Sequence, residues 1–367
     1  MGRIKLSRPT VAEINLSSIK FNIKQLKALA PESLFFPVVK ANAYGHGIKK
    51  VVKAIDSKVN GYCVATTEEA LSLRSITKKS VVCMEGPFDQ NELRSLNLNK
   101  IDFVLHSKRQ LNFYSSEKSI SKSLKVWLKI DTGMHRLGFS MEEAENAYLE
   151  VLKKTKNIVL MSHFSSAAGT KASVLKSKKQ ISDFNKIEKK LKKLGGNTLS
   201  SLCNSGGLLN YKGSHKDIIR PGISLYGLNQ QENKNKIFLK PALTLKTRLI
   251  SIKQINKGSN VGYDGTWTAT ENSIIGILPI GYADGYPSSL SNKGYVLVDN
   301  KKAPVIGKIS MDLIAINLSK LKKTSYESEI ILWGSNLPIE YVAKQSNKIP
   351  YNLMTSLSER VKRKYIE

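Results

Sequence analysis

Apolar and polar positions follow two different rhythms along this chain. Residues 10–15 alternate as a strand does, and Leu16, Ile19, Ile23, Leu26 and Ala30 then recur at helical spacing. Continuous apolar runs follow at about 34–39, 61–65, 80–84, 101–105, 125–131, 157–162, 198–203 and 217–219. Stretches of helical period separate most of them, among them 67–74, 89–96, 141–153 and 174–194. Buried strands of this number alternating with helices predict a (β/α)8 barrel of the TIM type. The seventh and eighth runs are joined by only a short connection. A doubly wound open sheet is the competing architecture, but no GxGxxG turn follows any of the runs.

Beyond residue 228 the rhythm changes. The stretch 230–236 (QQENKNK) is polar and aperiodic, which places a boundary around residues 228–241. Short alternating runs punctuated by turns follow at 243–252, 274–279, 295–298, 314–318 and 330–333, with turns at 256–258, 292–294 and 299–302. This predicts an antiparallel β domain with a short helix near 339–345. The expected organisation is a barrel over 10–230 and a β domain over 241–367. Residues 1–10 and the first strand have no place inside the barrel, so they are assigned beside the second domain.

Composition narrows the class. The 367 residues suffice for two domains, and 41% apolar content is that of a folded globular chain. No apolar run reaches membrane-spanning length, and the basic N-terminus lacks a signal-peptide core, so a cytoplasmic protein without a membrane partner is expected. Cys63, Cys83 and Cys203 are too scattered for a disulfide framework or a zinc site, and no metal is expected. The net charge of +29 comes mostly from lysines spread over helix surfaces, without any nucleic-acid-binding motif. It reads as a solvated surface rather than a nucleic-acid interface.

The chemistry-bearing residues fall where a barrel would use them, at the C-terminal ends of its strands. Lys40 ends the first run, residues 131–136 follow the fifth, and His163 ends the sixth. Residues 204–207 (NSGG) follow the seventh run and 220–223 (RPGI) the eighth. The last two loops expose backbone N–H groups at glycines beside a serine hydroxyl, a composition suited to phosphate.

The segments VVKANAYGHG, KIDTGMHRLGFS, MSHF, NSGG, RPGISLYG, VGYDGTW, GYADGYP and GKISMD occur in the order and rough spacing of the alanine racemase family, which the chain resembles over nearly its whole length. The resemblance implies a fold-type-III barrel that binds pyridoxal 5′-phosphate (PLP), a following β domain, and a homodimer sharing its active sites. It implies reversible conversion of L-alanine to D-alanine, which supplies peptidoglycan synthesis. A broader-specificity or serine racemase on the same fold is the alternative, because a few pocket residues can decide between them.

By that resemblance, Lys40 forms the Schiff base with PLP and is the base on one face of Cα, while Tyr263 of a second subunit serves the opposite face. Two bases are required, since a proton returned from the same face regenerates the starting enantiomer. Free lysine and tyrosine side chains titrate near 10, so making both basic at neutral pH demands about 4 kcal/mol of preferential stabilisation. Arg220 matches the arginine at the pyridine nitrogen, and His163 the histidine beside the ring. Tyr44, Ser205, Gly222 and Ile223 match the phosphate ligands, with Asn204 nearby. Arg136 matches the residue at the substrate carboxylate, and Lys129 a position that is carbamylated in several members. Met311 and Asp312 match residues contributed by the partner. One departure is Glu359, which stands where some members carry a further phosphate-contacting tyrosine.

Overall fold

Strand β1 (Val11–Asn15) buries Ala12 and Ile14 and leaves alternate residues half-exposed, then passes directly into the helix Leu16–Leu29. The computed structural model describes residues 8–167, 169–228 and 237–367. Residues 1–7, and the segment 230–236 that carries the expected boundary, lie outside the described residues. Two units can be distinguished: one holds described residues of 18–43 and 48–240, the other residues 8–17, 44–47 and 241–367.

The first unit is a ring of parallel strands. These are β2 (Leu34–Phe35), β3 (Gly61–Val64), β4 (Ser80–Cys83), β5 (Asp102–Leu105), β6 (Val126–Lys129), β7 (Asn157–Met161), β8 (Asn197–Ser201) and β9 (Ile218–Ile219). Strands β3 to β8 pair in sequence order, and β2 pairs with β9. Two sets of hydrogen bonds close the ring. Cys63 N–H donates to the Pro37 carbonyl (3.0 Å) and Val39 N–H to the Cys63 carbonyl (2.9 Å), while Arg220 N–H reaches the Cys203 carbonyl (3.3 Å). This is the expected (β/α)8 barrel. Strands β3, β5 and β6 are buried at every position, because helices cover them outside and side chains fill the interior. Inside, the rings of Phe36 and Trp127 meet at 6.0 Å.

Asp102 opens β5 at the N-terminal rim, away from the strand ends that carry the chemistry, and is almost fully buried. One of its oxygens accepts Lys125 N–H at 2.9 Å. Burial pushes the carboxyl up to about 6, with the Lys125 backbone only partly opposing. The folded chain therefore keeps a proton that the unfolded chain has lost, so stability falls as pH rises from about 4 to about 6. The full penalty, at most about 3 kcal/mol, applies above that window. Asp102→Asn is expected to raise the melting temperature at pH 7 and to flatten its pH dependence between 4 and 6.

The second unit is a nine-stranded sheet. Its strands are β1, β10 (Leu243–Thr247), β11 (Ser251–Ile255), β14 (Ser273–Leu278), β15 (Tyr295–Val298), β16 (Lys301–Ile306), β17 (Ile314–Asn317), β18 (Ile330–Trp333) and β19 (Lys362–Ile366); β12 (Asn260–Val261) and β13 (Trp267–Thr268) form a separate small hairpin. Strand β1 lies between β10, antiparallel, and β19, parallel. All other pairings in this unit are antiparallel.

Two elements differ from expectation. Lys301 and Lys302, read as turn, begin β16, and the turn is confined to Asp299 and Asn300 at φ 46° and 66°. The lysines stay exposed while Ala303 and Val305 point inward, so charge masked the alternation. Strand β19, KRKYI, carries no apolar rhythm and owes its pairing to an edge position, where lysines discourage further strand addition.

Candidate active site

In the barrel unit, the segment Phe35–Val39 is buried and Lys40 follows at the rim, half-exposed. The chain then makes a left-handed turn: Ala41, Asn42, Ala43 and Tyr44 have φ of 51°, 54°, 55° and 52°. None is glycine, so each position costs about 1–2 kcal/mol of backbone strain. Such a turn persists only where its surroundings over-determine it. Ala43 N–H donates to the Val39 carbonyl at 2.9 Å, and Asn42 Oδ1 accepts Ile48 N–H at 2.8 Å.

Arg220 is buried just beyond β9. Its Nε donates to Ser201 Oγ (2.8 Å), and its Nη2 to the carbonyls of Ser162 (2.7 Å) and Leu202 (3.3 Å). Among the described residues it forms no ion pair, so a buried cation is held entirely by neutral oxygens, with Nη1 unspent. Burial lowers its pKa.

His163, beyond β7, is neutral. Burial drives its pKa well below the ordinary value, and Arg220, Lys129, Arg136 and Lys40 all push the same way. Its tautomer follows from its neighbour. Asn204 Oδ1 accepts Gly207 N–H at 3.0 Å, so Asn204 Nδ2 is the atom facing His163 Nε2 at 3.3 Å. The Nε2 lone pair accepts, and the proton sits on Nδ1. Lys129, the last residue of β6, is buried; burial first, then Arg220 and Arg136, bring its pKa to about 8, against the attraction of Asp131.

Ser205 is buried and its Oγ accepts from Gly222 N–H (2.9 Å), Ser224 N–H (3.2 Å) and Ser224 Oγ (2.9 Å). Loop closure there needs glycine: a Cβ on Gly207 would stand 2.6 Å from the Phe164 ring and 2.8 Å from Cys203 Cβ. Thus Lys40, Lys129, Arg136, His163, Asn204, Ser205, Arg220, Gly222 and Ile223 all follow or end barrel strands at one rim. The cations among them outnumber carboxylates, a field suited to an anion.

In the β unit, three motifs remote in sequence come together. Tyr263 lies on the β12–β13 loop, 70% exposed, where Lys308 pairs with Asp264. Tyr282 N–H and Ala283 N–H donate to the carbonyls of Ser310 (3.1 Å) and Met311 (3.0 Å). Met311 and Tyr282 are exposed, and Asp312 pairs with Arg360 at 2.6 Å. Tyr44 is buried in this unit, 6.0 Å from the Tyr351 ring. Glu359 is exposed.

Residues 14–230 match the model of the alanine racemase N-terminal domain, and residues 242–365 that of the C-terminal domain. The chain belongs to the alanine racemase family. It is 39% identical to an alanine racemase of Pasteurella multocida and 37% identical to that of Actinobacillus succinogenes, covering 98% of this chain and 99% and 100% of the relatives. Among solved structures, the biosynthetic alanine racemase of Pseudomonas aeruginosa superposes with a TM-score of 0.90 at 34% identity, covering 98% of this chain and 100% of that one. An alanine racemase of Bartonella henselae, with covalently bound pyridoxal phosphate, does so at 0.88 and 28%, with the same coverage.

One residue in this alanine racemase-family barrel escaped the sequence reading. Gln180, buried on the helix Lys171–Lys192, donates through Nε2 to the His163 carbonyl (3.1 Å) and Thr132 Oγ1 (3.4 Å). Its Oε1 accepts Ser165 N–H (3.0 Å) and Oγ–H (3.1 Å). It ties the loops carrying Arg136 and His163 together. The available signal was a polar residue on the apolar stripe with Phe184, Ile187 and Leu191. Gln180→Leu leaves those groups unmatched and is expected to cost about 2–3 kcal/mol, read as a lower urea midpoint at unchanged slope.

Proposed function

We propose that this chain is a PLP-dependent racemase that interconverts L- and D-alanine, and that it acts as a cytoplasmic homodimer supplying D-alanine to the cell wall. The observation carrying the reading is the rim of the barrel. A lysine on a strained turn stands at the same rim as a buried arginine with no ion pair among the described residues and a buried serine hydroxyl. These residues fit PLP: the unspent Arg220 Nη1 suits the ring nitrogen, and the Ser205 hydroxyl with the Ile223 backbone suits the phosphate, beside Gly222, whose N–H donates to Ser205 Oγ. Asn204 orders that loop, and Tyr44, ending the turn begun by Lys40, is a further phosphate ligand.

When bound, PLP supplies the electron sink that makes the Cα–H of an attached amino acid acidic. The chain does the rest. Lys40 holds the cofactor and moves a proton on one face of Cα. Tyr263, from a second copy of the chain, moves it on the other. Arg220 would hold the ring nitrogen through Nη1 and, being reluctant to yield its proton, would leave that nitrogen unprotonated and the cofactor a weaker electron sink. His163, neutral and with its proton on Nδ1, packs beside Arg220 without adding charge. Arg136 holds the substrate carboxylate. Lys129, with its pKa brought near 8, has enough neutral amine for carbamylation, and the resulting anion would orient Arg136. Met311 and Asp312, exposed in their own chain, complete the partner's pocket.

The test is polarimetry: with PLP, the purified protein should abolish the optical rotation of L-alanine and of D-alanine alike. Equal turnover of L-serine would shift the reading to a broader-specificity racemase; no turnover of any small amino acid would end it.

A further inference from the structure

The helix Thr67–Arg74 begins immediately beyond β3 and is capped in an unusual way. Thr66 Oγ1 accepts Glu69 N–H at 3.4 Å, the first half of a capping box. The second half would return the Glu69 carboxylate to the Thr66 N–H. Here it goes elsewhere. Glu69 Oε2 accepts Ala65 N–H at 2.8 Å, and Oε1 accepts Ala41 N–H at 2.7 Å, from a residue 28 positions earlier. Ala41 is the first residue of the left-handed turn, so its N–H belongs to the peptide plane that Lys40 contributes. As the first amide of the turn, it has no partner within it.

We propose that Glu69 is a positioning residue for Lys40: its carboxylate bridges the first amide beyond β3 and the amide that follows Lys40, and holds the turn that aims the lysine amine. The clamp fixes the Lys40–Ala41 peptide plane, and with it the backbone from which the side chain departs. Strain favours relaxation of four left-handed residues towards ordinary conformations. A charge-assisted hydrogen bond at the head of the turn opposes this where it affects Lys40 most. Asn42, bonded to Ile48 N–H, braces the same turn from its other side. The inference rests on the reading of Lys40 as the cofactor lysine.

The experiment compares Glu69→Ala and Glu69→Gln with the unaltered enzyme, and with Glu68→Ala, one residue away and exposed, as control. In Glu69→Ala, kcat for alanine is expected to fall roughly 10- to 100-fold, with KM changed far less, since a displaced base costs turnover rather than binding. Glu69→Gln, which keeps one accepting oxygen, should fall between. Two readouts are independent of turnover. Hydrogen exchange at the Ala41 amide in the apo-protein should quicken at least about tenfold while the barrel strands keep their protection. Uptake of PLP, followed by the visible band of the lysine-bound cofactor, should slow. Unchanged kcat with unchanged Ala41 protection in Glu69→Ala would overturn the clamp, as would a loss matched by the unfolded fraction. Should that variant not fold, Glu69→Gln decides by the same exchange measurement. If the unaltered protein forms no visible band with PLP, the cofactor reading fails instead, and Ala41 exchange still judges the clamp.

Discussion

Lys40→Ala is expected to lower racemisation by at least about 10⁴-fold, because one side chain is asked to serve both as the cofactor's attachment and as a base. The same variant should lose the visible absorbance of the lysine-bound cofactor, while keeping its fold. Stability should be preserved because Lys40 is half-exposed, and the hydrogen bonds around it run through the backbone and through Asn42. Removing it relieves crowding among cations: Lys40 is one of four positive groups that depress His163 and one of three that depress Lys129. An upward shift in the pKa of His163 in Lys40→Ala, followed by NMR, would show the field that the lysine imposes. Retained turnover would remove Lys40 from the chemistry altogether.

The second large effect concerns Tyr263. Its phenol is 70% exposed on a short loop that Asp264 ties to Lys308, and the segment after Lys308 carries exposed Met311 and bonds the loop of exposed Tyr282. Exposed aromatic and apolar groups held on well-ordered loops suit a shared interface better than water. Tyr263→Phe is expected to impair the two directions of α-proton exchange unequally, since it removes the proton carrier from one face only. Mixing supplies the sharper result. Lys40→Ala and Tyr263→Phe, each inactive alone, should recover activity when unfolded and refolded together. Random pairing makes half the dimers mixed, and each of those has one intact site, so recovery should approach about a quarter of the unaltered activity. If the mixture stays inactive, lysine and tyrosine do not come from different copies.

Much of the barrel was legible one dimension at a time. A buried parallel strand must be apolar throughout, so Phe35–Val39 and Val126–Leu128 announce themselves, and a charged residue that ends such a run must lie at a rim. That logic located Lys40, His163 and Arg220 before any coordinate, while Lys129 was read from the family resemblance alone. It failed on β16 and β19, where lysines and arginine on exposed positions hide the alternation and pairing is imposed by neighbours. It failed again on Gln180 and Glu69, whose partners are distant in sequence and lie in loops without periodicity.

What the chain determined by itself is the order of strands and the rim at which polar residues accumulate, since both depend on local burial and spacing; its motifs carried the resemblance to the family as well. Tertiary structure alone decided that Arg220 has no carboxylate partner among the described residues, that His163 keeps its proton on Nδ1, and that Glu69 reaches the turn after Lys40. Those depend on which strand ends become neighbours when the ring closes. The register of a closed sheet brings together groups that no period in the sequence relates.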